Sequence, residues 1–143
     1  MLHEVTPAED ADAEAVLDAY RRLLRESVDA AGVEAIGAET DLGDGRIEMV
    51  TTGTTGAIAD LSIEEAAAIL AVAGDRDPDA IVYELRDHLL MGMTTAVVDV
   101  DTLAGAIDSD LTGQELQQAL EGRTRMTIGQ LAEITAALEA RGP

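Results

Sequence analysis

The sequence predicts an all-α fold, and three features carry that prediction. First, a Ser or Thr followed three residues later by Glu or Gln recurs as Thr6 with Glu9, Ser62 with Glu65, Thr112 with Glu115 and Thr127 with Gln130. Each pair is a capping box, in which two side chains satisfy orphan amide donors at a helix start. Second, apolar residues recur at four-residue spacing: Val16, Tyr20, Leu24 and Val28, then Ile81, Leu85, Leu89, Met93 and Val97. That is the stripe by which a helix faces a core. Third, alternation of the kind a strand needs is confined to Val97–Val100, too short to support a sheet.

Eight helices follow in order. The first spans 7–31, with Pro7 suited to its first position and Gly32 at its end. Shorter helices at 33–39 and 44–52 come next, the latter stopped by Gly53. Ser62 opens a helix over 62–73 that stops at Gly74. Asp77 and Pro78 open the helix over 78–97, and Asp99 and Asp101 favour the start of one at 101–107. Thr112 opens 113–121, stopped by Gly122, and Thr127 opens 127–141, stopped by Gly142. The run His88–Val98 carries no acidic or basic residue besides its histidine, and Met91 and Val98 fall off the main stripe. The simpler account is a central helix buried on several sides. A dimer contact is the other.

Composition bounds the rest. At 143 residues and 47% apolar, the chain can bury a real core, as one ordinary domain or two very small ones. There is no Phe or Trp and the only aromatics are Tyr20 and Tyr83, so Ala, Leu, Ile and Val must pack the interior. The 29 acidic and 9 basic residues give a net charge of −20, and every basic residue is Arg. Such a surface repels itself in dilute buffer. At about 1 M salt the Debye length falls to about 3 Å and the repulsion is largely screened. The acids are spread evenly, 16 in residues 1–72 and 13 in residues 73–143, unlike an acidic tail. Without Cys there are no disulfides, thiolate metal sites or Cys nucleophiles. Residues 1–12 hold no apolar run, and no stretch reaches the ~20 apolar residues of a membrane span. A cytoplasmic location is expected.

The helices fall into two matching sets of four. Gly37, Leu42, Ile47, Val50 and Gly53 recur 69 positions later as Ala106, Leu111, Leu116, Ala119 and Gly122. The same offset carries Tyr20 to Leu89, Leu24 to Met93 and Val28 to Val97. Four extra residues after Gly53 then reduce the offset to 65, at which Ser62, Ile63, Ala67, Ile69 and Ala71 meet Thr127, Ile128, Ala132, Ile134 and Ala136. The expected organisation is two units, residues 1–74 and residues 75–143.

Within each unit a small residue is followed by apolar positions at five, ten and thirteen residues and Gly at sixteen. This spacing resembles the Cro/repressor class of helix-turn-helix domains. The run Leu120-Glu121-Gly122-Arg123-Thr124-Arg125-Met126-Thr127 resembles the junction after the recognition helix in antitoxin-type members. The chain as a whole, with its acidic composition, also resembles a haloarchaeal family of acidic proteins of similar length, a likeness that implies no activity. The helix-turn-helix resemblance implies DNA contact through the third helix of a unit. In the first unit that helix begins Gly43-Asp44-Gly45-Arg46, with Glu48 following, a poor base-reading surface. In the second, two acids and two bases make residues 112–132 formally neutral. Gln114 and Gln118 should point outward with Gln117 on the flank. Gln can pair with adenine, and Arg123 and Arg125 can meet phosphate. These five residues are the candidate DNA-binding set. The bland alternative is an ordinary solvated helix face.

No catalytic constellation is expected. The absence of Lys removes P-loop and Schiff-base lysines. None of Ser27, Ser62 and Ser109 stands in G-x-S-x-G. His3 is expected in a frayed tail. Glu84 and His88, four apart, could meet one metal, but no further ligand is indicated. Asp75, Asp77 and Asp79 mimic the start of an EF-hand, which fails at Ala80 and Arg86. No enzyme activity, cofactor, metal or small-molecule substrate is therefore expected. Two functions of different class stand: a DNA-binding transcriptional regulator, or a protein-interaction module or structural homo-oligomer that does not touch DNA. An exposed Gln114–Arg125 face keeps the first open, and a covered one favours the second.

Overall fold

A computed structural model describes residues 2–5 and 12–141. Among them the chain is all-α, with no strand. After a short 3-10 turn at Leu2–Glu4 come α1 (Ala13–Ala31), α2 (Val33–Glu39), α3 (Asp44–Thr52) and α4 (Thr55–Ile58). There follow α5 (Ile63–Gly74), α6 (Pro78–Ala96), α7 (Val100–Ala106), α8 (Gly113–Leu120) and α9 (Ile128–Arg141). The extra helix, α4, is built from the four-residue insertion after Gly53.

The expected caps at Ser62, Thr112 and Thr127 all form. Each hydroxyl accepts from the amide of the residue three on at 3.1 Å, and Glu65, Glu115 and Gln130 each accept from the cap's own amide at 3.0 Å. Thr6, Pro7, Glu9 and Gly142 lie outside the described residues. Within them α1 starts later than expected, with Asp12 as its N-cap. Asp77 and Asp99 cap α6 and α7. Gly74 is the last residue of α5, and Asp75 takes the left-handed conformation beyond it.

The buried apolar residues form one cluster from Leu2 to Ala137. Its largest member is Tyr20, whose hydroxyl lies 3.3 Å from Thr135 Oγ1 on α9. Leu2 is fully buried and His3 lies against α6, so the N-terminal tail is docked where the sequence predicts fraying.

The packing pairs repeat. The α1 helix packs on α9, and α6 on α5; α1 also meets α5, as α6 meets α9. Likewise α2 packs on α3 and α5, as α7 packs on α8 and α9. This arrangement is compatible with two units of four matching helices, α4 being extra in the first, in which α1 and α6 each also rest on the other unit's last helix. The turn at residues 75–77 joins them.

The registers are informative. For α3 and α8 the offset of 69 holds, since Ile47 and Val50 are buried like Leu116 and Ala119. For α1 and α6 the structure corrects it to 65. Both helices have 19 residues, and starts and ends both differ by 65. At that offset Val16, Tyr20 and Leu24 match Ile81, Leu85 and Leu89, all buried. At 69, buried Val28 would match Val97, which is 90% exposed. An i, i+4 stripe looks the same after a four-residue slip, so spacing alone could not separate the two registers.

The last helices are joined at their starts. Ser62 and Thr127 form an isolated antiparallel bridge. Ile63 donates its amide to Met126 O at 3.0 Å, and Ile128 donates to Leu61 O at 2.7 Å. The two bonds exchange under the 65-residue shift. Gly129 allows this close approach: a Cβ there would stand 3.0 Å from that of Ala59.

Candidate functional site

On α8 the inner face is Leu116, Ala119 and Leu120. Gln114 and Gln117 are exposed and Gln118 is half-buried, so the flank position belongs to Gln118 rather than Gln117. Arg123 and Arg125 are exposed. The face is not covered by the rest of the chain, but three of the five side chains, Gln117, Arg123 and Arg125, are engaged. Gln117 Nε2 donates to Glu121 Oε1 at 3.0 Å, and Arg123 Nε lies 3.2 Å from Glu121 Oε2. Arg125 donates to the Asp60 carbonyl and lies 3.6 Å from Glu65. Next to them, Gly122 has a φ of +83°, and a Cβ there would stand 2.9 Å from Arg86 Cζ. Arg86 in turn reaches Glu64 at 3.0 Å. Around the turn after α8, Arg86, Arg123 and Arg125 thus each lie near a carboxylate, Glu64, Glu121 and Glu65 respectively, and Glu65 is shared with Arg46.

Glu65 is the hub of this polar layer. Arg46 reaches it with two donors, at 2.6 and 3.0 Å, and the Ser62 amide with a third. Burial pushes its carboxyl up, but the hydrogen bonds from Arg46 and Ser62 and the Arg46 charge outweigh burial and hold its pKa at about 2. These are long-range ion pairs between α3, α5 and the α8–α9 turn. Sequence spacing carries no sign of them.

The face missed by sequence reasoning is on α6. Its inner side, Ile81, Val82, Leu85 and Leu89, packs in the core. Its outer side carries large apolar side chains among the exposed Asp79, Asp87, Thr94 and Thr95: Tyr83 is 75% exposed, Leu90 49%, Met91 63% and Val97 90%. The helix is therefore not buried on several sides. Tyr83 and Leu90 are seven residues apart, which places them on one face, and Val97 follows seven residues later as the cap just beyond the helix. Val97 also ends the helix in the left-handed conformation, with φ 55°. That conformation costs a non-glycine residue roughly 1–2 kcal/mol. At the 65-residue offset the first unit carries Asp18, Arg25, Glu26 and Gly32 in place of Tyr83, Leu90, Met91 and Val97. Gly32 also has a positive φ, +88°, a value that glycine tolerates, but with a ψ of 142° its helix ends differently from that at Val97. Beside this stripe, Val82, Tyr83, Leu90 and Leu120 floor a groove of about 600 Å³ that includes Glu64, Asp79, Asp87 and Glu121 among its walls.

His88 does meet another imidazole. The His3 and His88 ring centroids are 5.9 Å apart, and His3 Nδ1 lies 3.7 Å from Glu84 Oε2. Among the described residues no group of three or more His, Cys, Asp or Glu is arranged to hold a metal ion. Asp77 accepts from the Asp79 amide at 3.1 Å as a helix cap. Among the described residues no single helix is long and apolar enough to cross a membrane.

No curated protein and no solved structure matches the chain. Residues 16–141, which run from the first buried side chain of α1 to the last residue of α9, match a family profile. The chain belongs to that family, described as a family of unknown function (DUF5791).

Proposed function

We propose that the chain is a non-catalytic, salt-adapted cytoplasmic module of a haloarchaeal type that engages a macromolecular partner through the outer face of α6. The observation that carries this reading is the exposed row Tyr83, Leu90, Met91 and Val97 on a chain of net charge −20. An acidic protein gains nothing in solubility from such a row, and exposed apolar patches of this kind mark interaction sites. Val97 adds a second cost, because glycine would end the helix with less strain. Neither cost serves the isolated fold, whereas the exposed side chains serve a contact.

The second reading is DNA binding through α8 of a helix-turn-helix-like unit. It is favoured by the exposure of Gln114, Gln117, Arg123 and Arg125. It is weakened by the carboxylate partners that Arg123 and Arg125 already have. Phosphate would have to displace those partners within an acidic field, and counterion release contributes little at molar salt.

The absence of Cys makes the test direct. Leu90→Cys and Gln114→Cys each introduce a single thiol. Alkylation rates are compared between native cells and dilute purified protein. The interaction reading expects the thiol of the Leu90→Cys variant to be shielded in cells at least tenfold, and that of Gln114→Cys to stay reactive. Shielding of the Gln114→Cys thiol that nuclease removes would establish the DNA reading instead. Equal reactivity of both thiols in both settings would sink the two together.

A further inference from the structure

We infer that the occupant of the α6 outer face is a second copy of this chain, paired antiparallel about Leu90. The inference rests on the interaction reading above and names its partner. Two chains of charge −20 can approach only where the surface carries little charge. The run from His88 to Val98 is such a place, since it holds no Asp, Glu or Arg, and unlike the equally uncharged residues 49–59, which expose Thr and Gly, it exposes large apolar side chains.

The spacing suits a two-fold axis. Tyr83 and Val97 lie seven residues on either side of Leu90. An antiparallel pair centred on Leu90 therefore sets Leu90 against Leu90 of the second copy and Tyr83 against its Val97. The seven-residue spacing of Tyr83 and Leu90 keeps both on one seam, and Val97 extends it at the exposed helix end. Charge is distributed to match. The N-terminal half of α6 carries Asp79, Glu84, Arg86 and Asp87. Antiparallel pairing lays this half over the uncharged half of the other copy, so the carboxylates of the two helices do not meet. Asp99 and Asp101 also stay clear, because the chain bends by 95° between α6 and α7 and α7 turns back onto α8 and α9. Parallel pairing would stack Asp79 on Asp79 and Asp87 on Asp87.

The area is adequate for a salt-dependent dimer. The four exposed side chains offer roughly 500 Å² per copy, hence about 1,000 Å² for the pair, at the lower edge of specific interfaces. The remaining charge of −20 per copy opposes association until salt screens it. The dimer therefore forms in molar KCl and dissociates in dilute buffer.

Sedimentation equilibrium of the purified chain in dilute buffer and in about 1 and 3 M KCl tests this, with circular dichroism confirming the fold at each point. The expected result is a twofold mass at the highest salt. Leu90→Arg should raise the dimer dissociation constant more than tenfold, whereas Gln114→Arg should leave it unchanged. As a check on geometry, Leu90→Cys should form an intermolecular disulfide under mild oxidation, while Gln114→Cys should not. A folded chain that stays monomeric at about 200 μM, well above most specific dissociation constants, would overturn the inference. So would a dimer indifferent to Leu90→Arg, or one that the Leu90→Cys thiol cannot cross-link. If the chain is monomeric while that thiol is shielded in cells, the second copy is excluded and the interaction reading stands. If the thiol is reactive in cells as well, both fall.

Discussion

Ser62 and Thr127 face each other as an antiparallel pair, each the cap of a long core helix and 65 residues apart in the chain. The amides of Ile63 and Ile128 close the bridge by donating to Met126 and Leu61. Both amides should therefore exchange slowly and with similar protection, because opening one bond opens the other. Ser62→Ala and Thr127→Ala should each cost about 1 kcal/mol through loss of a capping hydroxyl. Native-state hydrogen exchange and denaturant titration measure the two effects. Fast exchange at Ile63 with slow exchange at Ile128 would show that the pairing is not a unit.

The Glu65 carboxyl sets a pH dependence of known sign. Its folded pKa, about 2, lies below the ordinary value of 4.5. A depressed carboxyl stabilises the fold above its unfolded pKa, and that contribution is lost as pH falls through the folded one. Glu65→Gln should cost roughly 1–3 kcal/mol at neutral pH, as expected for removing charge-assisted bonds from Arg46. The difference between wild type and variant should shrink between pH 4.5 and about pH 2. Urea melts at several pH values measure that difference directly. Other carboxylates titrate equally in both proteins and drop out of the comparison. A difference independent of pH would mean that Glu65 acts through packing alone.

How far the sequence can be read depends on distance along the chain. Caps such as Ser62 with Glu65 are local and legible to the residue. The core stripes of α1 and α6 are legible too, but not their mutual register, because helical periodicity hides a four-residue slip. Along the chain Arg125 has cationic or neutral neighbours, which makes it look like a phosphate ligand. In space it clasps Asp60 and Glu65, far upstream in the chain. Nothing local in the sequence says that Tyr83 stands in solvent while Tyr20 is buried. The buried Leu2 carries no periodic signal at all. Each of these turns on tertiary contacts between residues far apart in sequence.

Val97 should be replaceable with a gain. Glycine at this left-handed helix end removes the strain and loses a side chain that is 90% exposed. Val97→Gly should stabilise the dilute protein by about 1 kcal/mol. Thermal melts at low protein concentration measure it. A loss of stability would mean that the valine packs in the monomer after all.

Salt dependence follows from 29 carboxylates against 9 guanidiniums. Screening removes their repulsion, so the melting temperature should rise steeply from dilute buffer to molar KCl. Lowering the pH to about 5 should not substitute fully, since Asp and Glu stay mostly ionised there. Glu14→Gln, Glu34→Gln and Asp110→Asn, at exposed positions, should together reduce the requirement. Asp12 is a poorer choice, because its side chain caps α1. Circular-dichroism melts across a KCl series decide the matter. A melting temperature flat from about 0.1 to 3 M KCl would contradict the salt-adapted reading.

If the apolar outer face of α6 serves a contact and not the fold, the monomer should tolerate its removal. The most direct measurement transplants the first unit's residues onto it, as the triple variant Tyr83→Asp, Leu90→Arg and Met91→Glu. Its melting temperature is compared with wild type in molar KCl, at a protein concentration low enough to keep both monomeric. The two should agree within about 3 °C, since exposed substitutions away from the core change stability by roughly ±0.5 kcal/mol. A fall of about 10 °C or more would show that these side chains hold the monomer together, and the face would then belong to the fold.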